Sequence, residues 1–309
     1  MGAVGVVGGL GPLFGAGGPG GFGSGVFGGI GLEAFEPEFM QRALLAGLVA
    51  AVACSVVGTW IVLRGLTFLG DALAHGVLPG LALATTWGFN PVLGALASAL
   101  VMSGAVTVVG RRAAVRDDVG IGLLFVGMLA LGVIIVSRSA NFTRDLSSLL
   151  FGDVLAVTVG DLRTQAVAAA AVVAVTVALH RPFLALAFDA DKARTLGMRP
   201  ALAHAAMLVV LAVAIVASFS AIGTLLVFGL LIGPPATAGL VVRRVPTRML
   251  VAVGFGASAV VIGLLVSFHH GTAGGASIAA VAVGQFFAVL VLRDALVALR
   301  SRRAVTVAP

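Results

Sequence analysis

The sequence predicts an all-α polytopic membrane protein with eight or nine transmembrane helices, and two observations carry that class. Of its 309 residues, 60% are hydrophobic and only 10% are charged, where a soluble domain carries about a quarter. Successive apolar runs also reach or exceed the ~20 residues that a helix needs to cross a bilayer.

Spans are predicted at 41–63, 67–87, 91–110, 119–137, 160–180, 202–220, 222–242, 249–268 and 276–296. Charged residues bound most of them. Arg64 closes the first, and Arg111, Arg112 and Arg116 follow the third. The fourth lies between Asp117-Asp118 and Arg138, and the fifth ends near Arg181. Only Ser220, Ala221 and their neighbours separate the sixth from the seventh, so the two also read as one long broken helix pair. Arg243, Arg244 and Arg248 precede the eighth, Arg293 falls in the last turn of the ninth, and the tail with Arg300, Arg302 and Arg303 follows it.

Orientation follows from the basic residues, which concentrate on the cytoplasmic side of membrane proteins. Placing Arg64, the 111–116 loop, the 181–199 loop, the 243–248 loop and the tail inside puts 15 of the 19 Lys and Arg residues there. With nine spans the N-terminus is then outside and the C-terminus cytoplasmic. The net charge of +7 is mostly a topology signal and gives no support to nucleic-acid binding.

Residues 1–31 hold 15 glycines and no charge. They lack the basic n-region of a signal peptide, and glycine loses the most conformational freedom on ordering. Residues 1–39 therefore read as a disordered extracytoplasmic leader, or as untranslated sequence if synthesis starts at Met40. The membrane-embedded body spans 40–300, and 301–309 is a cytoplasmic tail. The lone Cys54 lies mid-span, with no intrachain disulfide partner.

Asp71 and His75 are the most informative residues in the chain. An ionisable pair inside a membrane is costly and usually functional. The i, i+4 spacing puts both side chains on one helix face, and carboxylate and imidazole both ligate divalent transition metals. The alternatives are bland: Asp71 neutralises Arg64 or caps a half-helix, and His75 satisfies a buried carbonyl. Elsewhere, Gly94 with Ser98 and Gly229 with Gly233 have the small-xxx-small spacing that brings membrane helices close. Pro234-Pro235 removes two backbone donors and is expected to break its helix.

Four segments resemble one known family in order and spacing. They are Phe68-Leu-Gly-Asp-Ala-Leu-Ala-His-Gly-Val-Leu-Pro-Gly80, Leu149-Leu-Phe-Gly-Asp153, Phe188-Asp-Ala-Asp-Lys-Ala-Arg-Thr-Leu-Gly197 and Gly223-Thr-Leu-Leu-Val-Phe-Gly-Leu-Leu-Ile-Gly-Pro-Pro-Ala236. Over about residues 40–300 the chain is similar to the permease subunits of zinc/manganese ABC importers. The resemblance implies a type II importer bundle in the inner or plasma membrane of a prokaryote. It also implies a second permease copy, a cytoplasmic ATP-binding subunit and an extracytoplasmic metal-binding protein as partners. It makes Asp71 and His75 the metal ligands in the path. Asp189, Asp191, Lys192, Arg194, Leu196 and Gly197 become the segment that docks on the ATPase. The cargo is Zn2+ or Mn2+, with no permanently bound cofactor.

The chain departs from the family pattern at Gly271 and Ala273, where an Asp and a Pro are usual. His269 and His270 are substitutes as an outer capture point for the ion, though paired loop histidines are commonly just polar. His180, His204, Asp117 and Asp118 read as solvated inner surface. Asp145, Asp153 and Asp161 are candidates for a surface that docks the binding protein.

The chain is not expected to be an enzyme. A P-loop needs Gly-x-x-x-x-Gly-Lys-[Ser/Thr], and the only lysine, Lys192, stands between Asp191 and Ala193. ATP hydrolysis therefore belongs to another polypeptide. The competing class is a secondary metal transporter driven by a proton or sodium gradient, with Asp71 or His75 as proton carrier.

Overall fold

The computed structural model describes residues 35–111, 117–137, 157–188 and 199–306. In chain order the helices are α1 (Glu38–Leu63), α2 (Thr67–Gly76), α3 (Leu78–Trp87), α4 (Pro91–Arg111), α5 (Asp117–Val136) and α6 (Val159–Ala178). They continue as α7 (His180–Phe188), α8 (Pro200–Ile222), α9 (Thr224–Val241), α10 (Val245–His270) and α11 (Gly274–Thr306). Among the described residues nine stretches are long and apolar enough to cross a membrane, with α2 and α3 together forming one. Among the described residues the higher of the two predicted counts is met. The sixth and seventh spans are separate helices, parted at Gly223, whose φ of 79° with ψ of 163° favours glycine.

Helix α1 is the hub, because small residues cover much of its surface. Ala43, Ala46, Ala50, Ala51 and Cys54 are fully buried, and α6, α8, α9 and α10 all pack on α1. Gly58 lies directly against the carbonyl of Leu231 on α9, and Gly256 of α10 sits over Ala51. Where lipid supplies no hydrophobic drive between helices, such close backbone approach is a main source of association. Gly229 and Gly233 do the same work against Ala279 and Ala282 of α11, so the predicted small-residue seam is bundle packing.

The proline pair departs from expectation. Pro234 and Pro235 lie inside α9, which runs unbroken to Val241. Proline removes the donors to the carbonyls of Leu230 and Leu231, a loss that membrane helices tolerate where other segments pack on them. The Leu231 carbonyl abuts Gly58. One turn further on, the Arg248 guanidinium donates to the Pro235 carbonyl at 3.2 Å from Nη2 and 3.3 Å from Nε.

The segment after His180 is also not a simple loop. Pro182 falls in the first turn of α7, where its missing N–H costs nothing. Phe183 and Leu186, three residues apart, bury against the core.

Candidate functional site

The α2–α3 span is bent by its sequence. Pro79 has no N–H to give to the His75 carbonyl, so α2 stops at Gly76 and α3 restarts at Leu78. The Val77 N–H turns back towards the His75 carbonyl, and Ser98 of α4 donates its hydroxyl to the Gly76 carbonyl at 2.7 Å. Gly80 and Gly94 face each other so closely that a Cβ on either would strike the other's carbonyl. On the opposite flank Gly132 of α5 rests on Leu78 and Pro79. The kink is thus held from both sides.

On α2, Leu69, Ala72, Leu73 and Ala74 enter the core, while Phe68, Asp71 and His75 share the less buried face. His75 Nε2 lies 3.5 Å from Asp71 Oδ1, with the side chains 22% and 28% exposed respectively. Asp71 is the fifth residue of α2 and caps neither half-helix. His75 Nδ1 is shut off from solvent and has no hydrogen-bond partner among the described residues, so the ring does not serve a buried carbonyl either. An ion about 2.1 Å from both facing atoms would subtend roughly 110° at that separation. Six-coordinate geometry would need the atoms to close to about 3.0 Å, a small rotamer adjustment. Among the described residues no third His, Cys, Asp or Glu joins the pair to make a metal-sized cluster.

The sequence had no local signal for the third side chain here, Phe125, which comes from α5. Its ring centroid is 5.5 Å from that of His75 and 5.8 Å from that of Phe68, edge-on in both cases.

The other candidates are dispersed. His269 and His270 are exposed on the last turn of α10. His269 Nδ1 is 2.8 Å from the carbonyl of Leu265 on its own helix. Gly271 ends that helix at φ 63°, a conformation suited to glycine, and Ser267, Thr272 and Ser277 tie the turn together through their hydroxyls. Asp161 forms a reciprocal capping box with Thr158 at the start of α6. Asp117 and Asp118 are the first residues of α5.

His180 and His204 are not solvated surface, contrary to expectation. The His180 ring meets Trp60 edge-on at 5.3 Å, and His204 Nδ1 lies 2.7 Å from Arg64 Nη1. Both are drawn to the last turn of α1, a contact between distant segments that spacing does not reveal. Asp145, Asp153 and the predicted ATPase-docking residues Asp189, Asp191, Lys192, Arg194, Leu196 and Gly197 lie outside the described residues.

The sequence profile of the ABC 3 transport family matches residues 36–293. The manganese transport system membrane protein MntC of Halalkalibacterium halodurans is 33% identical over 249 residues, 81% of this chain and 85% of that protein. The chelated iron transport system membrane protein YfeD of Yersinia pestis is 32% identical over 271 residues, 88% of this chain and 91% of its own length. Among solved structures, PsaBC from Streptococcus pneumoniae in complex with Fab superposes with a TM-score of 0.75 at 31% identity. That match covers 84% of this chain and 92% of the other.

Proposed function

The chain belongs to the ABC 3 transport family, and we propose that it is the permease through which an ATP-driven importer brings a divalent transition metal into the cytoplasm. One observation carries the metal reading. A carboxylate oxygen and an imidazole nitrogen face each other at 3.5 Å on one face of a membrane-embedded helix, and among the described residues neither serves as a cap or as a donor to a carbonyl.

Manganese is the favoured cargo. Relatives named for manganese and for chelated iron support a cation that accepts oxygen as readily as nitrogen, and carboxylate with water suits manganese. Zinc is the alternative that the same pair serves. Two ligands per chain make a weak site, which suits a path that must release what it binds. A second permease copy across a twofold axis would bring the protein ligands to four, with water completing a larger shell.

The family resemblance supports the remaining parts. A cytoplasmic ATP-binding subunit docks at Asp189 to Gly197, and an extracytoplasmic metal-binding protein delivers the ion. The distribution of arginines supports an outer N-terminus and a cytoplasmic C-terminus. By alternating access the ion passes the Asp71/His75 level and leaves on the inner side.

Reconstitution tests this reading. Proteoliposomes holding the permease, its ATPase and its binding protein should accumulate Mn2+ when ATP is added. Asp71→Ala and His75→Ala should abolish that accumulation. Accumulation driven by an ion gradient without ATP would instead support a secondary transporter.

A further inference from the structure

We infer that Phe125 is the positioning residue for His75, holding the imidazole so that Nε2, and not Nδ1, faces the ion. The inference rests on the metal reading of the Asp71/His75 pair and adds to it a residue from another span.

A histidine that ligates a metal through one nitrogen is ordinarily oriented by a hydrogen bond from the other, which fixes both tautomer and ring angle. Among the described residues His75 lacks that device. Its Nε2 is turned towards Asp71 Oδ1, while Nδ1 is sealed from solvent with no partner among the described residues. Something else must set the ring, and the aromatic side chain against it is Phe125, edge-on at 66°.

The placement of Phe125 is specific. Phe68, Asp71 and His75 follow one another at i, i+3 and i+7 along one face of α2. Phe125 sits at nearly equal distance from the rings of Phe68 and His75, so it bridges the two turns between which Asp71 lies. Helix α5 comes close to α2 and α3 here: Gly132 rests on Leu78 and Pro79, tightly enough that a Cβ would crowd them. The aromatic bridge therefore closes the α5 side of the pair, and an ion meets Nε2 and Oδ1 from the remaining side. Edge-to-face packing restrains ring orientation without a donor or acceptor, which is what an imidazole with a buried, unpartnered nitrogen requires.

The full-length protein in lipid nanodiscs, titrated with Mn2+ alone, tests the assignment. Wild type should bind Mn2+ and give electron spin-echo modulation from the imidazole nitrogen bound to it, a signal absent in His75→Ala. Phe125→Leu should weaken binding about tenfold, the lower end of the range for losing a group that orients a ligand, and should broaden or remove the modulation. Phe125→Tyr, which keeps the ring, should stay close to wild type in both readouts. Phe125→Met replaces Phe125→Leu if the latter does not purify as a monodisperse protein. Unchanged affinity and modulation in the ring-less variant would overturn the positioning role while leaving the metal site standing. Wild-type protein whose Mn2+ binding is indifferent to His75→Ala would overturn the metal reading, and this inference with it.

Discussion

Arg64 and His204 are joined by a 2.7 Å hydrogen bond that ties the end of α1 to the start of α8. A guanidinium has no acceptor, so His204 Nδ1 accepts and the ring proton sits on Nε2. One turn earlier on α1, Trp60, 1% exposed, packs edge-on against both His180 and Phe183 of α7. The same turn of α1 is thus gripped by the helices before and after residues 189–198. Three residues beyond Arg64 the chain enters α2, which carries Asp71 and His75. His204→Ala should destabilise the bundle by about 1–2 kcal/mol, the range for a partly exposed charge-assisted hydrogen bond. Thermal unfolding in mild detergent checks this, and His204→Gln, which can still accept from Arg64, should recover part of the loss.

The crossing of α3 and α4 predicts a sharp contrast between glycines. A Cβ on Gly94 would strike the Gly80 carbonyl and lie 2.8 Å from Ala84 Cβ, whereas Gly104 on the same helix has nothing within 4 Å of that position. Gly94→Ala should therefore cost about 1–3 kcal/mol through overpacking. Gly104→Ala should be neutral or slightly stabilising, since alanine is the better helix former. Parallel denaturation of the two variants is the check.

At the start of α6 the Thr158 hydroxyl lies 2.6 Å from Asp161 Oδ2 and accepts from the Asp161 N–H at 3.2 Å. Thr158→Ala and Asp161→Ala each remove half of one capping box and should lower stability by similar amounts, about 0.5–2 kcal/mol. A much larger loss in the Asp161 variant would show that its carboxylate has a second partner.

These contrasts mark what the sequence could carry. Span positions were legible because a bilayer imposes one length and one polarity on every crossing helix. Asp71 and His75 were legible because four residues along a helix is a local relation. Phe125, by contrast, reaches His75 from another span, and Arg64 meets His204 from 140 residues away in the sequence. Such contacts come from tertiary packing, which leaves no periodic trace. The Pro234-Pro235 expectation failed for a related reason: the local rule that proline breaks a helix ignores Gly58 and Arg248, which close around α9 from other segments.

Whether Asp71 and His75 carry a metal across the membrane is best read in cells. Zinc, manganese and iron contents are measured by elemental mass spectrometry in metal-limited cells producing the intact protein with its partners, or His75→Ala at equal abundance in the membrane. The variant should lose the accumulation of one metal, manganese first, while the others hold steady. Equal contents of all three metals in both strains, with the intact system accumulating metal, would contradict that role and leave the pair a structural feature of α2.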